Sequence, residues 1–353
     1  MHPLLFLPLL ALTGPAPLSY DAMFADDAAG RPIEDPLWSP DGRRLLCERE
    51  EALWVMAPDA SSGPSEPLLR LSDLRREAGP EAEIDRAVWM PGGDGIVLEA
   101  GGDLWLAPLG PGTLRRLTRT EEAETDPQPS PDGTRIAFVR DFDLWLLDLG
   151  SGAERALTTD GAEGAFLNGT TGWLYWEEIW DREASGFWWS PDGRRIAYTR
   201  FDERKVPVHP IVDDAPVHPQ VTSQRYPKPG DPNPVVQVGV LDLASGRTTW
   251  MATGGEDLYL ARVAWAPAAD AVAVQALTRS QTRLDLLRCA AADGRCATLL
   301  TEQWPTWVNL GKDFAFLPDG RFLWGSEQSG WRRLYLAGAD GRSLRPVSPE
   351  GWA

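Results

Sequence analysis

Positive charge, histidine, cysteine and long apolar runs are all scarce in this chain, and each scarcity excludes something. Lysine and arginine total 34 against 52 aspartates and glutamates, a formal net charge of −18. No basic stripe exists to neutralise phosphates, which excludes a nucleic-acid partner, whereas cationic ligands gain from long-range attraction. Of the three histidines, His2 lies in an apolar N-terminal run, and His209 and His218 share one proline-rich stretch. No His/Cys cluster has zinc spacing, so neither a structural metal nor a cofactor is expected. No G-x-S-x-G occurs anywhere in the 353 residues, and the histidines offer no partner for a nucleophilic serine. The apolar run from Leu4 to Leu12 is too short to span a bilayer. It resembles a secretory signal over residues 1–17, without a preceding Lys or Arg. A periplasmic or secreted location is the expectation, with a cytoplasmic one as the alternative.

What the chain has in excess is tryptophan, 17 residues, more than packing alone requires. One phrase recurs as WSPDGRRLL from Trp38, WMPGGDGIVL from Trp89, PSPDGTRIAF from Pro129 and WSPDGRRIAY from Trp189, with weaker copies from Trp265 and Phe316. The spacings of 51, 40, 60, 76 and 51 residues are those of propeller blades. Fourteen residues after the serine or its replacement come Leu53-Trp54, Leu104-Trp105 and Leu144-Trp145. Strand-forming runs alternate with turn signals in each repeat. Such a sheet cannot cover both faces alone, and radial stacking covers each with its neighbour. The expectation is an all-β chain: a β-propeller of four-stranded antiparallel blades, six repeats being visible. The fourth repeat is interrupted by a proline-rich insertion at 203–235, which reads as extended, loop-like chain with polyproline character.

Ahead of that repeat stands WLYWEEIWDREASGFWW, residues 173–189, with adjacent carboxylates at Glu177 and Glu178. At 100° per residue, Trp173, Tyr175, Trp176, Ile179 and Trp180 fill one arc, and Glu177, Glu178 and Asp181 the other, with only Leu174 among them. This predicts a short amphipathic helix whose acidic side faces water. A solvated face and a binding function are both open on pattern alone. Cys289 and Cys296 bracket AAADGR, where Asp293-Gly294 signals a hairpin that brings the two sulfurs near each other. A disulfide or two half-buried thiols follow.

The order WLYWEEIWDREASGFWWSPDGRRIAYTRFDERKVP, then RYPKPGDPNPVVQVGVLDL, resembles the propeller of the dipeptidyl peptidase IV group of the prolyl oligopeptidase family. That group carries a W-V-Y-E-E-E-like motif before W-W-S-P-D-G, then F-D-x-x-x-V-P and Y-P-K-x-G-x-x-N-P. The likeness runs from about Leu18, where LSYDAMFADD matches bacterial members, to the C-terminus, giving a propeller domain at 18–353. The resemblance implies an eight-bladed propeller over an α/β-hydrolase domain that carries the catalytic serine, aspartate and histidine. Six repeats and no triad therefore read as a chain that stops two blades and one domain early, inactive by itself. The resemblance also implies that Glu177 and Glu178 hold the free amino terminus of a peptide substrate, with Trp176 where many members have a third acid. It places Trp176, Trp307 and Asn309 in the pocket lining and a disulfide in a blade like the one holding Cys289 and Cys296. A homodimer is implied for the intact enzyme. Some members use an arginine from an earlier blade on the substrate's first carbonyl, but the corresponding stretch, VLEAGGDLW, has none.

Three readings follow: the substrate-gating, N-terminus-recognising propeller of a secreted serine dipeptidyl aminopeptidase; a stand-alone six-bladed binding or scaffold module like the periplasmic Tol-type propellers; or a non-catalytic dipeptidyl-peptidase-like protein. The first explains the glutamate pair and the Y-P-K segment, which the second leaves idle; a terminal ammonium offers three donors and a full charge that an internal peptide bond lacks. Holding that amine at a set distance from a nucleophile measures off two residues.

Overall fold

A computed structural model describes residues 34–57, 66–255 and 257–351. The apparent signal at 1–17 and the LSYDAMFADD stretch lie outside these residues. The chain divides into two compact units, residues 1–71 and 72–353. The first holds one sheet of strands Glu34–Trp38, Leu45–Arg49, Ala52–Met56 and Leu69–Arg70, paired in chain order. The second holds five more meandering sheets, over residues 84–116, 124–156, 166–250, 258–303 and 314–346. The architecture is the β-propeller of four-stranded antiparallel blades that the repeat predicted, with one sheet per repeat.

The repeated phrase works through local chemistry. Ser130 Oγ donates to Asp132 Oδ1 (2.6 Å) and accepts from the Arg135 N–H (3.0 Å), while Asp132 Oδ1 accepts from the Thr134 N–H (3.1 Å). Ser190 and Asp192 repeat the pattern at 2.6, 2.9 and 3.1 Å, as do Ser39 and Asp41 at 2.5, 2.9 and 3.1 Å. Gly133 and Gly193 supply the positive φ, 69° and 65°. These donors hold the Asp132 carboxyl down at about 2, the hydrogen bond from Ser130 contributing most.

Tryptophan ties the sheets of the second unit together. Trp189 Nε1 donates back to the Gln128 carbonyl (3.0 Å), and Trp265 Nε1 to that of Trp188 (2.9 Å). Arg135 and Arg195 lie over the two indoles at 5.3 and 5.7 Å. The apolar faces then cover one another in sequence. Val97 and Leu104 meet Ile136 and Phe138; Val139 and Leu144 meet Phe187 and Tyr198. Val238 and Val240 meet Leu260 and Val274; Leu284 and Leu286 meet Phe322 and Trp324.

Two expectations need correction. The insertion at 203–235 is not loop-like: Val208–Asp213 and Gln220–Arg225 form a two-stranded hairpin paired from Val208↔Arg225 to Asp213↔Gln220. Its β-branched content outweighs its prolines, and Pro210 is tolerated because a two-stranded ribbon has only edges. The glutamate segment, in turn, is not placed ahead of the fourth sheet but within its first strand. Phe166–Asn168 and Phe187–Trp189 both pair with Arg195–Asp202, so the strand is split and residues 170–185 form an excursion. Gly169 and Gly186 close its neck, the Gly186 N–H donating to the Gly169 carbonyl (2.8 Å). A Cβ at Gly186 would collide with Thr199 Oγ1, which is why the chain narrows at glycine there.

Candidate functional site

The excursion contains a single π-helical turn, Tyr175–Ile179, instead of the expected α-helix. The Trp180 N–H donates to the Tyr175 carbonyl (2.7 Å) and the Arg182 N–H to that of Trp176 (2.7 Å). The wider turn advances fewer degrees per residue than an α-helix, so the arc drawn at 100° distributes side chains wrongly. Tyr175, Ile179 and Trp180 are buried, as predicted. Trp173 is exposed, edge-on to Tyr226 (4.9 Å), Trp176 is only half-buried, and Leu174 packs against the core instead of joining the acids.

The turn is anchored on its buried side. Tyr175 OH accepts the Leu260 N–H (3.0 Å), and burial pushes its phenol well above the usual range. Arg262 donates to the Ile179 carbonyl (2.7 Å) and to that of Ala261 (2.6 Å), with burial lowering its guanidinium pKa. Trp180 makes edge contacts with Tyr175 (5.8 Å), Trp188 (5.8 Å) and Phe201 (6.1 Å). Its Nε1 is buried without a hydrogen-bond partner among the described residues. Beneath the start of the turn, Glu203 packs against Gly172, and burial raises its carboxyl to about 7, Arg225 opposing.

The acidic side is open. Glu178 is exposed and makes no hydrogen bond or ion pair among the described residues. Glu177 is half-buried and accepts two bonds from Arg182, Nε to Oε2 at 3.2 Å and Nη2 to Oε1 at 3.0 Å. Arg182 also lies 5.7 Å over the Trp176 ring. Asp181 and Arg182 both have positive φ, 56° and 63°, which costs free energy for non-glycine residues. Asp181 is held by Lys312 Nζ (2.5 Å), which reaches across from the stretch before the sixth sheet.

Beside the turn lies a cleft of about 320 Å³, lined by Trp180, Glu183, Trp188, Arg262, Gln275 and Lys312 among others. Glu183 receives Arg86 Nη2 (2.8 Å), which also pairs with Asp126 (3.0 Å). VLEAGGDLW does lack an arginine, yet Arg86 on the adjoining strand Ile84–Trp89 reaches the excursion. Glu99, which accepts the Asp126 N–H (2.9 Å), is raised to about 7 and Asp126 to about 6, burial being the largest cause for both.

Trp307 and Asn309 bond to each other (Nε1 to Oδ1, 3.1 Å), and Asn309 donates to Glu327 (2.8 Å). No contact among the described residues joins either to Glu177 or Glu178; from that stretch Lys312 reaches Asp181 and Leu310 packs against the cluster of Tyr175, Ile179 and Trp180. Cys289 and Cys296 are directly paired across strands Arg283–Ala290 and Cys296–Gln303 and are disulfide-bonded, with Cα atoms 3.9 Å apart. Cys47 is buried and unpaired. Among the described residues no His/Cys/Asp/Glu group is arranged to hold a metal, and no helix is long and apolar enough to cross a membrane.

Set beside known proteins, residues 98–353 match the family model described as the dipeptidyl peptidase IV N-terminal region. The chain is 34% identical over 225 residues to the "Probable dipeptidyl peptidase 4" of Aspergillus fumigatus, covering 59% of this chain and 29% of that protein. It is 32% identical over 259 residues to dipeptidyl peptidase 4 of Trichophyton rubrum, covering 68% and 33%. The chain thus spans about a third of the length of the curated relatives it matches. The crystal structure of Porphyromonas gingivalis dipeptidyl peptidase 4 superposes with a TM-score of 0.78 at 23% identity, over 90% of this chain and 47% of that one, a likeness of fold.

Proposed function

This chain belongs to the dipeptidyl peptidase IV N-terminal region family, and on that premise we propose that it is the substrate-recognition and gating propeller of an exported serine dipeptidyl aminopeptidase. Glu177 and Glu178 bind the α-ammonium of a peptide, and a catalytic α/β-hydrolase domain supplies the nucleophile. The observation that carries the proposal is Glu178. It is an exposed carboxylate without a partner among the described residues, next to Glu177, on a turn whose opposite side is anchored by Tyr175, Ile179 and Trp180. A solvated surface face does not need such anchorage, whereas a ruler for chain ends does, because its length must be constant.

The test is kcat/KM for a free-amine dipeptidyl substrate in the enzyme with its catalytic domain, comparing wild type with Glu177→Gln and Glu178→Gln. Each substitution keeps the shape and removes one charged acceptor. A charge-assisted hydrogen bond contributes about 1.5–3 kcal/mol, and a tenfold change corresponds to about 1.4 kcal/mol. Each variant is therefore expected to lose about ten- to a hundredfold. Wild-type values in both would return the pair to a surface role. The 353-residue chain alone is expected to release no product from a Gly-Pro chromogenic substrate.

A further inference from the structure

Arg182 has no part in the reading above, yet it occupies one of the two proposed ammonium acceptors. Its guanidinium makes two bonds to Glu177, at 3.2 and 3.0 Å, and lies over Trp176. Its own backbone N–H closes the turn onto the Trp176 carbonyl at 2.7 Å. The fold therefore determines where this cation sits, in a left-handed conformation that arginine does not favour. The side chain remains 70% exposed, so an incoming cation has access to the same carboxylate.

We propose that Arg182 is an internal stand-in for the peptide ammonium, holding Glu177 when the site is empty and yielding it when a chain end arrives. This rests on the recognition reading of the glutamate pair. Three physical points support it. A guanidinium stays protonated at every physiological pH, so the stand-in is always charged. An exposed ion pair is weak enough to be exchanged. The pair is also local, so exchanging it disturbs no other sheet. Asp181, the neighbouring acid, is held by Lys312 and is thereby kept from replacing Glu177 as the partner of Arg182. Glu178, left open, provides first contact; the ammonium then takes Glu177 as Arg182 swings out. The consequence is selectivity: weak cations do not displace the arginine, whereas an amine that satisfies both carboxylates does.

The experiment titrates the enzyme with its catalytic domain, the nucleophile substituted so that no peptide is cleaved, with the tripeptide amide Ala-Pro-Ala-NH2 and with its N-acetylated form, whose only difference is the lost ammonium. The variants are Arg182→Asn, chosen because asparagine tolerates left-handed backbone, Arg182→Lys, Glu177→Gln, and the Arg182→Asn/Glu177→Gln double variant. An exposed pair contributes up to about 1 kcal/mol, or about fivefold. Arg182→Asn is expected to bind the free-amine peptide two- to fivefold more tightly, on the order of that exposed-pair contribution, and the acetylated peptide unchanged. The gain should vanish in the double variant, and Arg182→Lys should lie nearer wild type. If Arg182→Asn binds the free amine equally or more weakly while Glu177→Gln still weakens it, Arg182 is a positioning residue: the stand-in is overturned and the recognition reading stands. If neither wild type nor Glu177→Gln distinguishes free from acetylated peptide, the recognition reading fails and the stand-in with it.

Discussion

The turn at Ser190–Arg195 and the excursion at 170–185 belong to the same sheet, yet they treat their backbone in opposite ways. In the first, Asp192 accepts the Arg194 N–H and Ser190 the Arg195 N–H, and the left-handed position is given to Gly193. In the second, the left-handed positions fall on Asp181 and Arg182, the helix has widened to a π turn, and Trp180 Nε1 is buried without a hydrogen-bond partner among the described residues. The scaffold obeys local rules and the excursion departs from them. Such departures persist only where surrounding packing over-determines the conformation. Here Arg262, Leu260, Trp188 and Phe201 do so, all from outside the excursion.

This contrast can be broken most strongly at Trp180. If packing, not local preference, holds the excursion, Trp180→Ala should destabilise the protein by about 3–5 kcal/mol. Urea unfolding checks it, and a loss below about 1 kcal/mol would show that the π turn stands by itself.

Glu203 provides the next test. Its folded pKa of about 7 lies above the ordinary 4.5, so between these values the folded chain holds a proton that the unfolded chain has shed. Its stabilising share is therefore complete below about 4.5 and lost as pH rises through 7, by about 3 kcal/mol. Glu99 and Asp126, also raised, slope the same way. Glu203→Gln should flatten the stability profile over pH 4.5–7, and an unchanged slope would mean that this carboxyl is solvated.

The smallest effect belongs to the scaffold. Ser130→Ala removes the acceptor of the Arg135 N–H and the donor to Asp132, so it should cost about 1 kcal/mol. The equivalent change at Ser190 should cost a similar amount, since the geometry repeats. Unequal losses, read from paired denaturation curves, would show that neighbouring sheets and not the turn chemistry decide.

The parts of this protein whose physics is local are legible in the order of its residues. S-P-D-G reads as a turn because its serine, aspartate and glycine act within five residues of one another, and its recurrence specified a sheet per repeat. Leu-Trp at a constant offset marked buried positions for the same reason: Leu53, Leu104 and Leu144 are 3%, 0% and 0% exposed. Cys289 and Cys296 were legible because a short hairpin dictates who faces whom. The glutamate pair was visible as two adjacent acids among tryptophans. Tertiary structure alone decided how that pair is presented. Tyr175 finds its donor 85 residues away, Arg262 caps a carbonyl 83 residues back, and Lys312 crosses 131 residues to Asp181. No spacing rule encodes such partners, because they meet only once neighbouring sheets have packed. The π register has the same origin: burial of Tyr175, Ile179 and Trp180 together outweighs the α-helical geometry their spacing suggests. Chain-local chemistry therefore drew the scaffold, and contacts between distant strands set the angle at which two carboxylates face water.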